Sequence, residues 1–181
     1  MFGLEARRPS VKAFSKCISY KGGDGLSKTF SIKIEDLALE IVERLCALCK
    51  NDDYKRSFRA RARSLITDLY VNGISYVVTI CAARSSANAV ELGLTSKTPD
   101  DFIRVYVNER LAKKMGLKKS ESYGYAIYGA SLLYALRMLN IIKSTKLSDA
   151  IRELMNNSLA DRKAYQFVVW LKRFAEAYIY E

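Results

Sequence analysis

Trp170-Leu171-Lys172-Arg173-Phe174-Ala175-Glu176-Ala177 packs large apolar side chains between paired charges. A helix gathers three- and four-residue steps into one stripe, whereas a strand would scatter them over two faces. Extended upstream, the pattern predicts a closing helix from Leu159 to about Tyr178. Phe167, Trp170, Leu171, Phe174 and Tyr178 form its inner side, and Gln166, Lys172, Arg173 and Glu176 face outward. A companion stretch starts at Ala62-Arg63-Ser64-Leu65 and runs to Asn72-Gly73-Ile74. It belongs to a helix predicted from about Tyr54 to Val71, with Tyr54, Phe58, Ala62, Leu65 and Leu69 on one stripe and Arg56, Arg59 and Arg63 on another. Asn72-Gly73 tolerates positive φ, so the helix breaks there before an apolar segment resumes from Ile74 to Ala83. Its β-branched residues would also suit a strand, but nothing nearby offers a pairing partner, and helix is the reading.

The same periodicity extends outward. Leu37, Ile41, Leu45 and Leu48 predict a helix from about Glu35, ended by Asn51-Asp52-Asp53, which also suits the next helix start. Residues 84–98 read as a connection. Pro99 with Asp100 or Asp101 opens another helix, with Phe102, Val105 and Leu111 inward, and Lys113-Lys114-Met115-Gly116-Leu117-Lys118-Lys119 closes it as helix end, Gly cap and basic turn. Tyr123 to Ile142 is the longest apolar stretch and predicts a helix buried nearly all round, expected to pack against Trp170. A short helix from Leu147 to Met155 and a turn at Asn156-Asn157-Ser158 lead to the last one. The expected fold is all-α, a single-domain bundle of about six helices over residues 31–181. Residues 1–30, with Arg7, Arg8, Lys12, Lys16, Lys21 and Lys28 among Ser, Pro and Gly, read as a flexible basic arm.

Composition narrows the function. Half of the 181 residues are apolar, enough for a core without disulfides or metal. A net charge of +11 favours an anionic partner. Histidine is absent, which removes the most frequent general acid/base and the commonest metal ligand. Cys46 and Cys49 share a helix face and Cys17 and Cys81 stand alone, so free buried thiols are expected rather than a zinc site, in a reducing, cytoplasmic setting. No run approaches the roughly eighteen apolar residues of a membrane span. Phosphate-loop and dinucleotide patterns are missing, and Asp52-Asp53 and Asp100-Asp101 lie where helix starts want them. No catalytic residue, metal ligand or cofactor is expected, and the chain reads as a binding protein.

The binding candidates are Lys55, Arg56, Arg59, Arg61 and Arg63, with Lys172 and Arg173 as a second group. Arginines spaced along a helix can each donate in pairs to phosphate oxygens, and no Glu sits at the offsets that would pair them internally. Tyr106, Tyr123, Tyr125 and Tyr128 could stack on bases, though core packing suits them better. A helical adaptor that binds only proteins and a basic helical DNA-binding protein are the other readings of this balance.

In order and spacing, Ala62-Arg63-Ser64-Leu65, Asn72-Gly73-Ile74 and Trp170 to Ala175 resemble the small-subunit family of the Cmr complex, the type III-B CRISPR effector that silences RNA. The chain has Ile66 where the family often has Pro, and Asn157-Ser158 where a Tyr-Arg pair is usual. Its longer arm and Tyr-rich insert suggest a divergent, archaeal member, and the small subunit of another CRISPR effector type is the neighbouring alternative. The resemblance implies an all-helical, non-catalytic subunit for antiviral defence. Its implied partners are guide and target RNA, the other subunits of the effector complex, and further copies of itself in a row.

Overall fold

Every residue from Tyr123 to Leu136 is buried, which makes their helix the axis about which the others pack. The computed structural model describes residues 32–180, and the expected basic arm lies outside them. Eight helices and no strand occur among the described residues: α1 (Ile34–Leu48), α2 (Asp52–Arg84), α3 (Ala87–Thr95), α4 (Pro99–Val107), α5 (Glu109–Lys114), α6 (Ser120–Met138), α7 (Leu147–Leu154) and α8 (Ser158–Tyr178). Buried side chains from all eight join one hydrophobic cluster.

Gly73 interrupts α2 with φ 80° and ψ 172°, a backbone that glycine adopts without strain. The chain reverses there. Phe58 in the first half meets the Tyr128 ring, while Cys81 in the second half lies against Gly129, the adjoining residue of α6. In a straight helix residues 58 and 81 would stand about 35 Å apart. The α2 element is therefore an αα-hairpin whose halves flank α6, and the break expected at Asn72-Gly73 is its turn. Its last residue, Arg84, returns to the level of the first half.

Close approach needs small residues. A Cβ on Gly93 of α3 would stand 2.1 Å from the Ala130 carbonyl oxygen, and one on Gly124 would stand 2.3 Å from Ser57 Oγ of α2. The helix starts follow local chemistry. Asn51 accepts from the Asp53 N–H at 2.9 Å, and the Asp101 carboxylate accepts from the Lys97 and Thr98 N–H groups at 2.8 and 2.9 Å.

Several expectations change. The connection over residues 84–98 contains α3, whose Ala89, Val90, Gly93 and Leu94 are buried but too small to stand out as a stripe. The helix expected after Pro99 divides at Asn108, whose side chain caps α5 through the N–H groups of Arg110 and Leu111. That division resets the helical phase, so Ile103 and Tyr106 join Phe102 in the core while Leu111 is exposed. Helix α6 ends at Met138 rather than Ile142, because Asn140 takes a positive φ of 56° and Ile141 N–H returns to the Leu136 carbonyl at 2.9 Å.

Helix α8 packs chiefly on α1 and α2 and less on α6, so Trp170 is half-buried, stacked on Phe174 at 5.6 Å, and Tyr178 is exposed. Counted through Gly73, α2 has the length and apolarity of a membrane span, but the reversal at Gly73 divides it into two shorter helices. Cys46, Cys49 and Cys81 are free, and burial pushes each thiol up.

Candidate nucleic-acid interface

The first half of α2 and helix α8 run antiparallel. Asp161, in the first turn of α8, accepts from the Ile74 N–H at 2.8 Å beside the hairpin turn, and Glu176, near its end, meets Arg63 at 3.2 Å. Beyond them, Tyr178, Ile179 and Tyr180 line a cleft of about 260 Å³ with Asp52, Lys55 and Arg56. The two motifs singled out in the sequence thus lie side by side. Lys172 and Arg173 stand one turn before Glu176, which brings the second basic group beside the first.

The arginines do not form one unopposed row. Lys55 pairs with Asp52 at 2.6 Å and Arg56 with Asp53 at 3.3 Å, each three residues back on the same helix. The missing internal Glu is thus replaced by Asp at the helix start and by carboxylates from other helices. Arg63 is half exposed and shares the outer face with Arg56 and the half-buried Arg59. Arg61 points elsewhere. Its guanidinium lies 4.7 Å over the Tyr125 ring, donates to the Tyr125 hydroxyl at 2.7 Å and stands 3.8 Å from Glu121, so it braces α2 on α6. On α8, Arg173 lies 5.3 Å over Trp170, and Lys172 makes no ion pair among the described residues.

The Lys55–Asp52 bond holds the Asp52 carboxylate below the usual carboxylate range and raises the Lys55 ammonium above its own. Both remain charged at neutral pH. Tyr106, Tyr123, Tyr125 and Tyr128 are all buried, so they serve the core; Tyr123, for example, stacks on Tyr54 at 3.9 Å. The exposed aromatics are others. Tyr178 and Tyr180 flank Arg56, and Tyr70 and Tyr76 flank the hairpin turn, where Tyr70 meets Tyr165 at 6.0 Å. Sequence reasoning missed them because a tyrosine on an apolar stripe and one on an open face look alike until the partner helices are known.

Among the described residues, no group of three His, Cys, Asp or Glu side chains could hold a metal ion. The arrangement can bind an anionic strand along the outer face of α2 and α8, with aromatic rings at one end.

No family model and no curated protein matches the chain. Among solved structures it is similar to a chain in the cryo-EM structure of the Type III-B Cmr-beta bound to cognate target RNA and AMPPnP. The TM-score is 0.61 at 22% identity, with 81% of this chain and 96% of that chain covered. The all-helical fold of the described residues is thus shared with a chain of a type III-B Cmr-beta complex.

Proposed function

We propose that this chain is a non-catalytic, cytoplasmic small subunit of a Cmr-like type III CRISPR effector complex, and that it helps to hold guide and target RNA. The observation that carries the reading is the meeting of the two family-like motifs on antiparallel α2 and α8, where Arg56, Arg59 and Arg63 share a face near Lys172 and Arg173, in a fold shared with a Cmr-beta chain. Exposed ion pairs of this kind are worth about 0–1 kcal/mol, so Arg56 and Arg63 can exchange carboxylate for phosphate at little cost. Arg61, committed to Tyr125, acts as a brace. Other subunits and further copies of the chain are its protein partners in this reading, and cleavage belongs elsewhere in the complex.

Changing Arg56, Arg59 and Arg63 together to Ala tests it. RNA affinity should fall similarly for every sequence, because phosphates carry no base identity. The salt slope should become shallower by about 0.7 for each phosphate of a single strand that the variant no longer neutralises. Lys172→Ala with Arg173→Ala should cost less. Unchanged RNA affinity with failed assembly would instead favour a protein-docking adaptor. That second reading draws on the exposed Tyr70, Val71 and Tyr76 around the hairpin turn.

A further inference from the structure

Tyr70 is 78% exposed, more open than any other aromatic residue within a helix among the described residues. Its ring meets that of Tyr165, itself 40% exposed, across the seam between α2 and α8, with centroids 6.0 Å apart and planes inclined at 54°. A tilted contact of this kind lets one ring support the other while the outer ring keeps a face open. Neither tyrosine belongs to the hydrophobic core or to the side chains packed on it. Single exposed apolar groups are ordinary on a protein surface, but two paired rings, with the exposed Val71 next in the chain, form a patch.

The position of the patch identifies what it suits. At 3.6 residues per turn, Tyr70 falls between Arg59 and Arg63 around the α2 axis, and it stands about 10 Å beyond Arg63 along that axis. On α8, Tyr165 shares a line with Lys172 and with Glu176, which meets Arg63 at 3.2 Å. The ring pair thus closes one end of the seam that carries Arg56, Arg59, Arg63 and Lys172. Four cations share this seam with the carboxylates of Asp53 and Glu176, so its charge suits a polyanion. Exposed Thr67 and Gln166 adjoin the rings and keep the apolar patch narrow. A protein partner typically covers about 800 Å² per side, with Lys depleted from the middle. Two rings at the end of a row of cations fit single-strand binding instead, in which charges follow the backbone and aromatic faces take bases.

We propose that Tyr70, supported by Tyr165, stacks an unpaired base of an RNA strand whose phosphates follow Arg56, Arg59, Arg63 and Lys172. This rests on the RNA-binding function proposed above and deepens it: the seam takes a single-stranded segment, because the bases of an intact duplex are already stacked on one another. Tyr165 is a positioning residue that holds the Tyr70 ring. At about 3.4 Å per stacked nucleotide, the step of about 10 Å from Arg63 to Tyr70 spans about three nucleotides, so one short strand reaches both. Every base has a π-face, and the contact therefore tolerates any sequence.

The test uses the full chain with three probes: a single-stranded RNA oligomer, the same oligomer annealed to its complement, and one in which abasic sites replace the bases. Tyr70→Ala should weaken binding of the single strand about fivefold or more. It should leave the salt slope unchanged, because tyrosine neutralises no phosphate, whereas the Arg56, Arg59 and Arg63 variant makes that slope shallower. Tyr70→Phe should bind as the wild type does, and Tyr70→Leu, apolar but without an aromatic face, should not. Tyr165→Ala should lose a smaller factor. The duplex and the abasic oligomer should each bind the wild type and Tyr70→Ala alike. Because Tyr70 is mostly exposed, its variants should melt with the wild type. Equal affinity of wild type and Tyr70→Ala for the single strand overturns the proposal, and the proposed function then stands if the arginine variant still binds more weakly. Unchanged RNA affinity with lost assembly also overturns it and assigns the rings to a protein partner. A wild type that binds no RNA overturns both readings.

Discussion

Asp161→Ala removes the acceptor that holds the α2 hairpin turn. The Ile74 N–H lies on a fully buried residue, its helix begins there, and Asp161 Oδ1 accepts from it at 2.8 Å. Losing a charged acceptor and leaving a buried donor without it costs about 1–3 kcal/mol. Asp161 also places a negative charge in the first turn of α8, worth about 0.3–1 kcal/mol. The expected loss is about 2–3 kcal/mol. For a domain of this size each kcal/mol lowers the melting temperature by about 2–4 °C, so the variant should melt about 4–12 °C below the wild type. Asp161→Asn keeps an acceptor oxygen and should lose about 1 kcal/mol. Urea unfolding followed by far-ultraviolet circular dichroism reads both. Gly73→Ala supplies the cross-check, because its Cβ would stand 3.0 Å from Asp161 Oδ1 and its φ of 80° is strained for alanine. In the Asp161→Ala background the steric part of that cost should vanish and the dihedral part remain, a coupling of about 0.5–1 kcal/mol. A midpoint for Asp161→Ala equal to that of the wild type would refute the reasoning, since Gly73 alone would then hold the turn.

Gly93→Ala drives a methyl group into the Ala130 carbonyl, backbone against backbone, and should cost about 3 kcal/mol or more in the same unfolding assay. Arg61→Ala should lower stability more than Arg63→Ala, because Arg61 bonds and covers Tyr125 while Arg63 is half exposed in its pair; equal losses would remove the distinction between brace and binding group. Acid should weaken the domain through carboxylates held below their usual range, Asp101 and Glu153 as well as the exposed Asp52. Asp101 is held below the usual range by the Thr98 and Lys97 N–H groups, and Glu153 by the Ser144 hydroxyl and the Lys143 and Ser144 N–H groups. A depressed folded-state value means that the stabilisation is complete above the unfolded range near about pH 4 and is lost as pH falls through the folded values. Asp101→Asn and Glu153→Gln should therefore flatten the acid limb of stability against pH, measured by denaturant midpoints. The isolated chain should show no nuclease, nucleotidase or redox activity, and metal-dependent RNA cutting that a point change in this chain abolishes would contradict it.

Helix after helix is legible in the chain because amphipathic spacing is a local property. The stripes through Phe58, Leu65 and Leu69 and through Phe167 and Leu171 need no knowledge of their partners to be seen, and both are buried. The turn at Asn72-Gly73 is legible for the same reason, since few residues accept positive φ. The all-helical fold and the absence of His follow from residues alone, as does the excess of positive charge. Helix α3 was hidden because its burial rests on small side chains against the α6 backbone, and a run such as Ala89, Val90 and Gly93 carries little periodic signal. The fate of each charge also had to wait for packing. Arg61 and Arg63 are two residues apart, yet the first turns toward Tyr125 and the second toward Glu176, because successive helical positions point in different directions and each finds a different neighbour. The ring pair of Tyr70 and Tyr165 joins positions 95 residues apart, brought together only when α8 packs along the first half of α2. Spacing along a chain reports which face a side chain occupies; what stands opposite that face is a property of the fold.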